Sequence, residues 1–532
     1  MRFNRHILSI TALILALGYT LWFVFAGFGN HQDPLYWLYK YAHLEGGWMA
    51  VGSLLTGGAV VRLFGAQILP LRLFGWLCTV TAIALPYCSL LDAKQRRDNL
   101  HWLALTFLLM GYGAFQEFSP GTLSVLLLSA LWVTSIKSSA DRRYTIASAV
   151  LLGLVVAARI PNIVVLLILL PIWKKKSLWA IPVAALTAGL VYLMGYLFVT
   201  PAAMDSTMTG THAFLSMCTK LWENGGKLLG CMLMGVGVLA IGKLTVSRSS
   251  VVQSLAALFT GGILVYVLWS CTKATQWYNI DLTYCLSAFC LVLALGQLPM
   301  STEQSAMGNK QLLLGVALLC VATLGTDTAW LKLFPAVLCL LPVAAQQYEE
   351  QERRFILIVL TLLAGFVMVR MTTNSIGRTD LSRATTVATI SPYKGIAIQA
   401  EEQARLLQYK ADFDSLSTTV HRTPILALGQ EMHLMRAVTG CEAARFNEFW
   451  SNIFDSVYTA KYQPIIVAER PVVFVSFSPQ FKTKPTYKDG ASMFETMLQQ
   501  EGYQPINRAA HKYMIYIPGE TIKEESDGKE IR

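Results

Sequence analysis

Along the 532-residue chain, charge-free apolar runs alternate with short polar stretches as far as about residue 370. Five runs approach the ~20 residues that carry a helix across a bilayer: Ile7–Phe25, Leu73–Leu91, Leu178–Val199, Val251–Ser270 and Leu282–Pro299. Eight shorter runs reach that length by borrowing flanking residues: Leu103–Phe115, Leu123–Ile136, Tyr144–Ala158, Pro161–Trp173, Leu228–Gly242, Leu312–Leu324, Leu333–Ala345 and Phe355–Val369. After Arg370 the pattern changes. Helix-period stretches (Gly395–Tyr409, Met493–Glu501) then alternate with strand-like ones (Ile425–Leu428, Val472–Phe477, Tyr513–Ile517). The expected fold is a polytopic α-helical membrane protein of about 13 spans over residues 1–371, followed by a soluble α/β domain over residues 372–532. The charged end, Glu520–Arg532, is expected to fray.

Composition agrees. The chain is 54% hydrophobic and 14% charged with a mean hydropathy of +0.48, more apolar side chain than a water-soluble core can bury. The net charge of +11 is no nucleic-acid footprint, because from Thr372 onward 18 basic residues balance 18 acidic ones. All of the excess lies among the apolar runs, where Lys and Arg mark the cytoplasmic side. Nine of the ten cysteines lie in or beside apolar runs, and Cys441 stands alone in the tail, so the tail holds no internal disulfide.

Parity of the loops fixes the topology. Arg2 and Arg5 precede the first run, which at 19 residues is longer than a signal-peptide core, so it is read as an uncleaved span with the N-terminus inside. If Met49–Phe64 does not cross, the loops with Lys94, Arg96 and Arg97, with Lys137, Arg142 and Arg143, with Lys174–Lys176, and with Lys243 and Arg248 all fall inside. If it crosses, all of them flip outward, against the positive-inside bias. Residues 27–70 therefore form a long outer loop with interfacial or re-entrant helices. The tail lies outside, giving a multi-pass inner-membrane protein with an extracytoplasmic domain. Further outer connections are Gln116–Gly121, Ala158–Pro161, Gly325–Thr328, Thr200–Gly226 and Cys271–Asp281.

On that outer face stand the residues able to do chemistry. Asp33 heads the aromatic-rich stretch 33–43, read as an amphipathic helix lying at the interface. It is positioned to present a carboxylate at the depth of a lipid head group; as the residue before Pro34 it also suits a helix N-cap. Glu117 is a second acid, which with Asp33 divides general-base and metal-binding roles, or else is a solvated loop acid. Arg159 breaks the positive-inside bias and asks for a partner; a phosphate suits its guanidinium fork, and snorkelling to lipid phosphate is the alternative. Lys273, Trp277 and Tyr278 combine a cation with aromatic faces suited to sugar or lipid, although Trp and Tyr also anchor spans at interfaces. Lys220 and Lys227, flanking Glu223, are weaker candidates, and His31 and His43 lack zinc-site spacing. Phosphate-binding glycine loops and nucleophile elbows are missing where their context requires them, which argues against ATP-driven transport and serine hydrolysis.

Together these features resemble the membrane glycosyltransferases of the GT-C fold, in particular the protein-mannosyltransferase and aminoarabinose-transferase-like branch. Asp33 follows the first span as that family's catalytic acid does. The run Val60–Leu73, with Leu63-Phe64-Gly65 and Arg72-Leu73, looks like its approach to the second span. Glu117–Leu123 resembles its acidic, proline-containing start of the fourth span, and Gly153–Pro161 its glycine-to-Arg-Pro turn, with Ile160 intervening. There are departures: Gln32 stands where members often carry an adjacent acid, Gly121 where they place an Asp, and Gly52–Gly58 where His-Pro-Pro-like residues are found.

The resemblance implies a hexosyl- or pentosyltransferase of the cell envelope. It would use a polyprenyl-phosphate sugar donor and a lipid, glycan or protein acceptor. Asp33 would assist in-line, inverting displacement, Glu117 would assist it or share a divalent cation with it, and Arg159 would hold the donor phosphate. No other cofactor is implied. A transporter or flippase of lipid-linked saccharides, or a non-catalytic envelope assembly component, is the competing reading. A transporter asks for ionisable residues at mid-membrane depth, in which these runs are poor.

Overall fold

The computed structural model describes residues 5–27, 32–110, 117–138, 141–173, 178–201, 210–272, 278–296, 303–324, 329–373, 381–416, 423–429, 432–440, 456–476, 485–508 and 513–519. In chain order the first part comprises α1 (Arg5–Phe25), α2 (Gln32–His43), β1 (Glu45–Gly46), α3 (Val51–Phe64), α4 (Ile68–Leu90), α5 (Ala93–Asp98), α6 (Leu100–Met110), α7 (Pro120–Lys137), α8 (Arg142–Ala158), α9 (Val165–Leu169), α10 (Ala180–Phe198), β2 (Thr200–Pro201), α11 (Gly210–Thr245), α12 (Ser250–Thr272), α13 (Tyr278–Leu295), α14 (Glu303–Cys320), α15 (Ala329–Ala344) and α16 (Glu350–Thr373). Each of the thirteen expected apolar runs overlaps helix among the described residues. Among the described residues seven helices are long and apolar enough to cross a membrane. The protein is a mostly helical, multi-pass membrane protein. Lipid is required by its outside: α10 turns Leu186, Leu190, Leu193, Met194, Tyr196, Leu197 and Phe198 outward, a patch that water would not tolerate.

Contacts between loops sort the helix ends into two sets without reference to a membrane. At one end Arg353 donates to Asn99, Gln253 to the Gln351 carbonyl, Arg96 to the Leu91 carbonyl, and Arg142 lies over the Trp179 ring. At the other, Phe118 N–H donates to the Leu71 carbonyl, Thr200 N–H to the Leu44 carbonyl, Ser53 to the Ala158 carbonyl and Ile68 N–H to the Pro392 carbonyl. Pro161–Trp173 fits this sorting despite its broken form. It runs as a 3-10 turn (Ile160–Val164) followed by the five-residue α9, yet leads from Arg159 at one end to Trp179 at the other.

Two expectations change. α11 begins at Gly210 and is 36 residues long, so much of the expected Thr200–Gly226 loop is helix. At 1.5 Å per residue it outruns a ~30 Å bilayer, and hydropathy does not mark the part beyond the lipid. The stretch 33–43 was expected as an interfacial helix, but α2 buries Leu35, Tyr36, Leu38, Lys40 and Tyr41. It packs between α3 and the helix α18 (Met432–Thr439) of the tail, because Leu35, Leu38 and Tyr41 share one apolar core with Leu434 and Val438. The fourteen residues of α3 reach about 21 Å, short of a bilayer core.

The tail continues with β3 (Thr386–Val387), β4 (Ala397–Ile398), α17 (Ala400–Asp414), β5 (Ile425–Gly429), α18, α19 (Ser456–Glu469), β6 (Val472–Ser476), α20 (Pro485–Gln500), β7 (Tyr503–Arg508) and β8 (Tyr513–Pro518). The sheet order is β5-β6-β8-β7, with β5 parallel to β6 and the other neighbours antiparallel. Alternation along β6 sends Val472 and Phe474 into the core shared with α2, and Val473 and Val475 toward α19 and α20. Cys441 and Glu520–Arg532 lie outside the described residues.

Candidate active site

The tail-bearing end of the bundle holds Glu117, Arg159 and the start of α2. Arg72, in the first turns of α4, has no solvent exposure; its Nε lies 3.1 Å from Glu117 Oε1, and its Nη1 donates to the Gly27 carbonyl at 2.8 Å. Burying a guanidinium is costly unless it is paired and hydrogen-bonded, so these acceptors account for its presence. Glu117 is thus an ion-paired carboxylate rather than a solvated loop acid. It keeps 18% side-chain exposure.

The next residue ties this pair to α2. Phe118 is fully buried, packs against the rings of Tyr41 and Phe74, and accepts a hydrogen bond at its carbonyl from the Tyr41 hydroxyl at 3.4 Å. Tyr41 also stacks on Trp37 and lies across Gly57 of α3, where an added Cβ would come within 2.5 Å of the ring. That close approach explains the glycine at position 57, and Gly52 likewise meets the Ala157 backbone, 3.0 Å from where a Cβ would stand. Further along α2, the buried Lys40 places its ammonium 4.7 Å from the Tyr36 ring centroid, a cation–π contact. Asp33 lies in the first turn of α2; its side chain is outside the described residues.

Arg159 follows α8 directly. Its Nη1 and Nη2 donate to the carbonyls of Ala322 and Leu324 at 3.0 and 2.8 Å, closing the end of α14 and its 3-10 extension Val321–Thr323. Burial pushes its pKa down to about 10, which leaves it cationic at neutral pH. Three residues on, the fully buried Asn162 donates to Ser124 Oγ and the Val155 carbonyl, fixing the turn against α7.

Lys227 pairs with Asp281 at 3.3 Å rather than with Glu223. His43 is exposed, its Nδ1 on the Tyr39 carbonyl. His31, Lys273 and Trp277 lie outside the described residues, and the side chains of Tyr278 and Lys220 are likewise not described.

A divalent ion was expected, if anywhere, between Asp33 and Glu117. Among the described residues no three of His, Cys, Asp and Glu converge. Glu117 already faces the Arg72 guanidinium, and the open side of Gly121 is lined by Lys332, whose Nζ lies 3.4 Å from where a Cβ would stand.

No family model and no curated protein matches the sequence. Solved structures do: ArnT from Cupriavidus metallidurans bound to undecaprenyl phosphate is similar over 96% of this chain and 97% of that one, with a TM-score of 0.41 and 9% identity. The same protein in the apo state gives a TM-score of 0.40 and 10% identity over the same shares. A likeness of that degree says nothing about chemistry, which has to come from this chain's own residues.

Proposed function

We propose that this chain is a membrane glycosyltransferase that moves a sugar from a polyprenyl-phosphate donor to an acceptor on the extracytoplasmic face. One observation carries the reading: Arg72 joins the exit of α1, which leads to Asp33, with Glu117, placing the two acidic segments at one end of the bundle. The orientation is supported by charge. Arg96, Arg97, Lys137, Arg142, Arg143, Lys243 and Arg248 belong to the opposite end, as expected of a cytoplasmic face.

In this reading residues 1–371 form the transferase bundle, with about 13 spans, and residues 372–532 an extracytoplasmic α/β domain. Asp33 takes the proton of the acceptor hydroxyl as its oxygen attacks the anomeric carbon. The bond from that carbon to the phosphate oxygen breaks with inversion, and its electron pair leaves on polyprenyl phosphate. Glu117, steadied by Arg72, contributes negative charge beside the developing oxocarbenium. Arg159 offers its fixed cation to the donor phosphate. Lys273, Trp277 and Tyr278 are proposed sugar or lipid contacts, and no step is routed through a metal.

The test is incubation of the purified protein in lipid nanodiscs with a panel of radiolabelled polyprenyl-phosphate sugars. Consumption of one donor with release of polyprenyl phosphate is expected. Failure to consume any of them, with or without added acceptor lipid, overturns the reading.

A further inference from the structure

Gly27, where the chain leaves α1, is held from both sides. Its N–H donates to the Ala397 carbonyl at 2.7 Å, extending the parallel bridge between Ala26 and Ala397, and its own carbonyl accepts from Arg72 Nη1 at 2.8 Å. Its φ of +89° lies in the left-handed region that side chains other than hydrogen rarely adopt. Arg72 in turn reaches Glu117 Oε1 at 3.1 Å. An unbroken relay, Ala397 to Gly27 to Arg72 to Glu117, therefore joins the tail, the end of α1, the start of α4 and the loop before α7.

The relay frames α2. Asp33 follows Gly27 by six residues in sequence, and at the far end of α2 Tyr41 is bonded to Phe118, the neighbour of Glu117. One end of the helix is bonded to the loop that carries Glu117, and the other follows Gly27 closely in the chain. On the glycosyltransferase reading above, we propose that Arg72 is a positioning residue: without touching the sugar, it sets through Gly27 where α2 and its carboxylate begin relative to Glu117. The tail, through Ala397, is part of the same device. A guanidinium suits the task because its planar fork serves two acceptors at fixed angles, whereas an ammonium is a point charge that binds them less specifically. Misplacing a catalytic group by 1 Å costs about 100-fold in rate.

The experiment compares the full chain with Arg72→Met, Arg72→Lys and Gly27→Ala in nanodiscs. It measures donor turnover together with hydrogen exchange of the α2 amides. Gly27→Ala removes no charge, so it reports on the relay even where Arg72→Met folds poorly. The expected result is a fall in kcat of about 100-fold for Arg72→Met, with donor KM held within about twofold and faster exchange in α2. Gly27→Ala should move both readouts the same way, and Arg72→Lys should recover about tenfold of the loss. Unchanged kcat in a folded variant, or a loss confined to KM, overturns the assignment. Lack of any turnover by the unmodified chain overturns the transferase reading and is seen before any variant is compared.

Discussion

Arg159 donates to the carbonyl oxygen of Leu324 at 2.8 Å, and with its second bond to Ala322 it closes the end of a helix more than 160 residues away in the chain. The last carbonyls of a helix lack intrahelical partners and carry the negative end of its dipole, so a cation there is well placed. Arg159→Ala removes two charge-assisted bonds of about 1.5–3 kcal/mol each. A clear drop in unfolding temperature in detergent is therefore expected, with a smaller one for Arg159→Lys. An unchanged melting curve for the alanine variant would mean that the bonds contribute nothing. A donor KM that does not rise in a folded Arg159→Lys protein would remove the residue from the phosphate site.

Gly57 and Tyr41 are in contact so close that a methyl group does not fit between them. Gly57→Ala should destabilise by about 1–3 kcal/mol through overpacking. Tyr41→Leu in the same chain should relieve part of that cost, because the two changes act on one contact. A double-mutant cycle of unfolding temperatures reads the coupling, and strict additivity would contradict the packing described.

Loop parity makes a labelling prediction. His43 and the Arg97 side chain are both exposed, at opposite ends of the bundle. Cysteines placed there singly, with native reactive thiols removed, should respond to an impermeant maleimide in opposite vesicle orientations: His43→Cys in right-side-out vesicles, Arg97→Cys in inverted ones. Labelling of both from the same side would defeat the topology.

The apolar runs were legible because lipid imposes a length and a composition that survive in one dimension. Legibility ended where that constraint stops. Residues Gly210–Gly226 of α11 fall in the expected loop because hydropathy marks a helix only within the lipid. The aromatics of α2 suit an interfacial helix, and nothing local to them marks that Leu434 and Val438, some 400 residues on, cover it. Arg72 and Glu117 were both in view, the first only as part of a motif. An arginine on the outer face, against the positive-inside bias, with an acid on the same face was the signal that could have paired them. The 45-residue separation hid the contact. Nothing local in the sequence marks Lys40 or Asn162 as buried, since their burial arises from packing against other elements: Lys40 lies on α2 between α3 and α18, and Asn162 bonds Ser124 of α7.

The central claim concerns Asp33, and Asp33→Asn tests it most directly because it removes the proposed base while preserving size. Purified variant and parent are compared for release of polyprenyl phosphate from the radiolabelled donor that the parent consumes. The account predicts a loss of about 100- to 10,000-fold, the usual contribution of a general base, in a protein that inserts and melts like the parent. Transfer at the parental rate would contradict it.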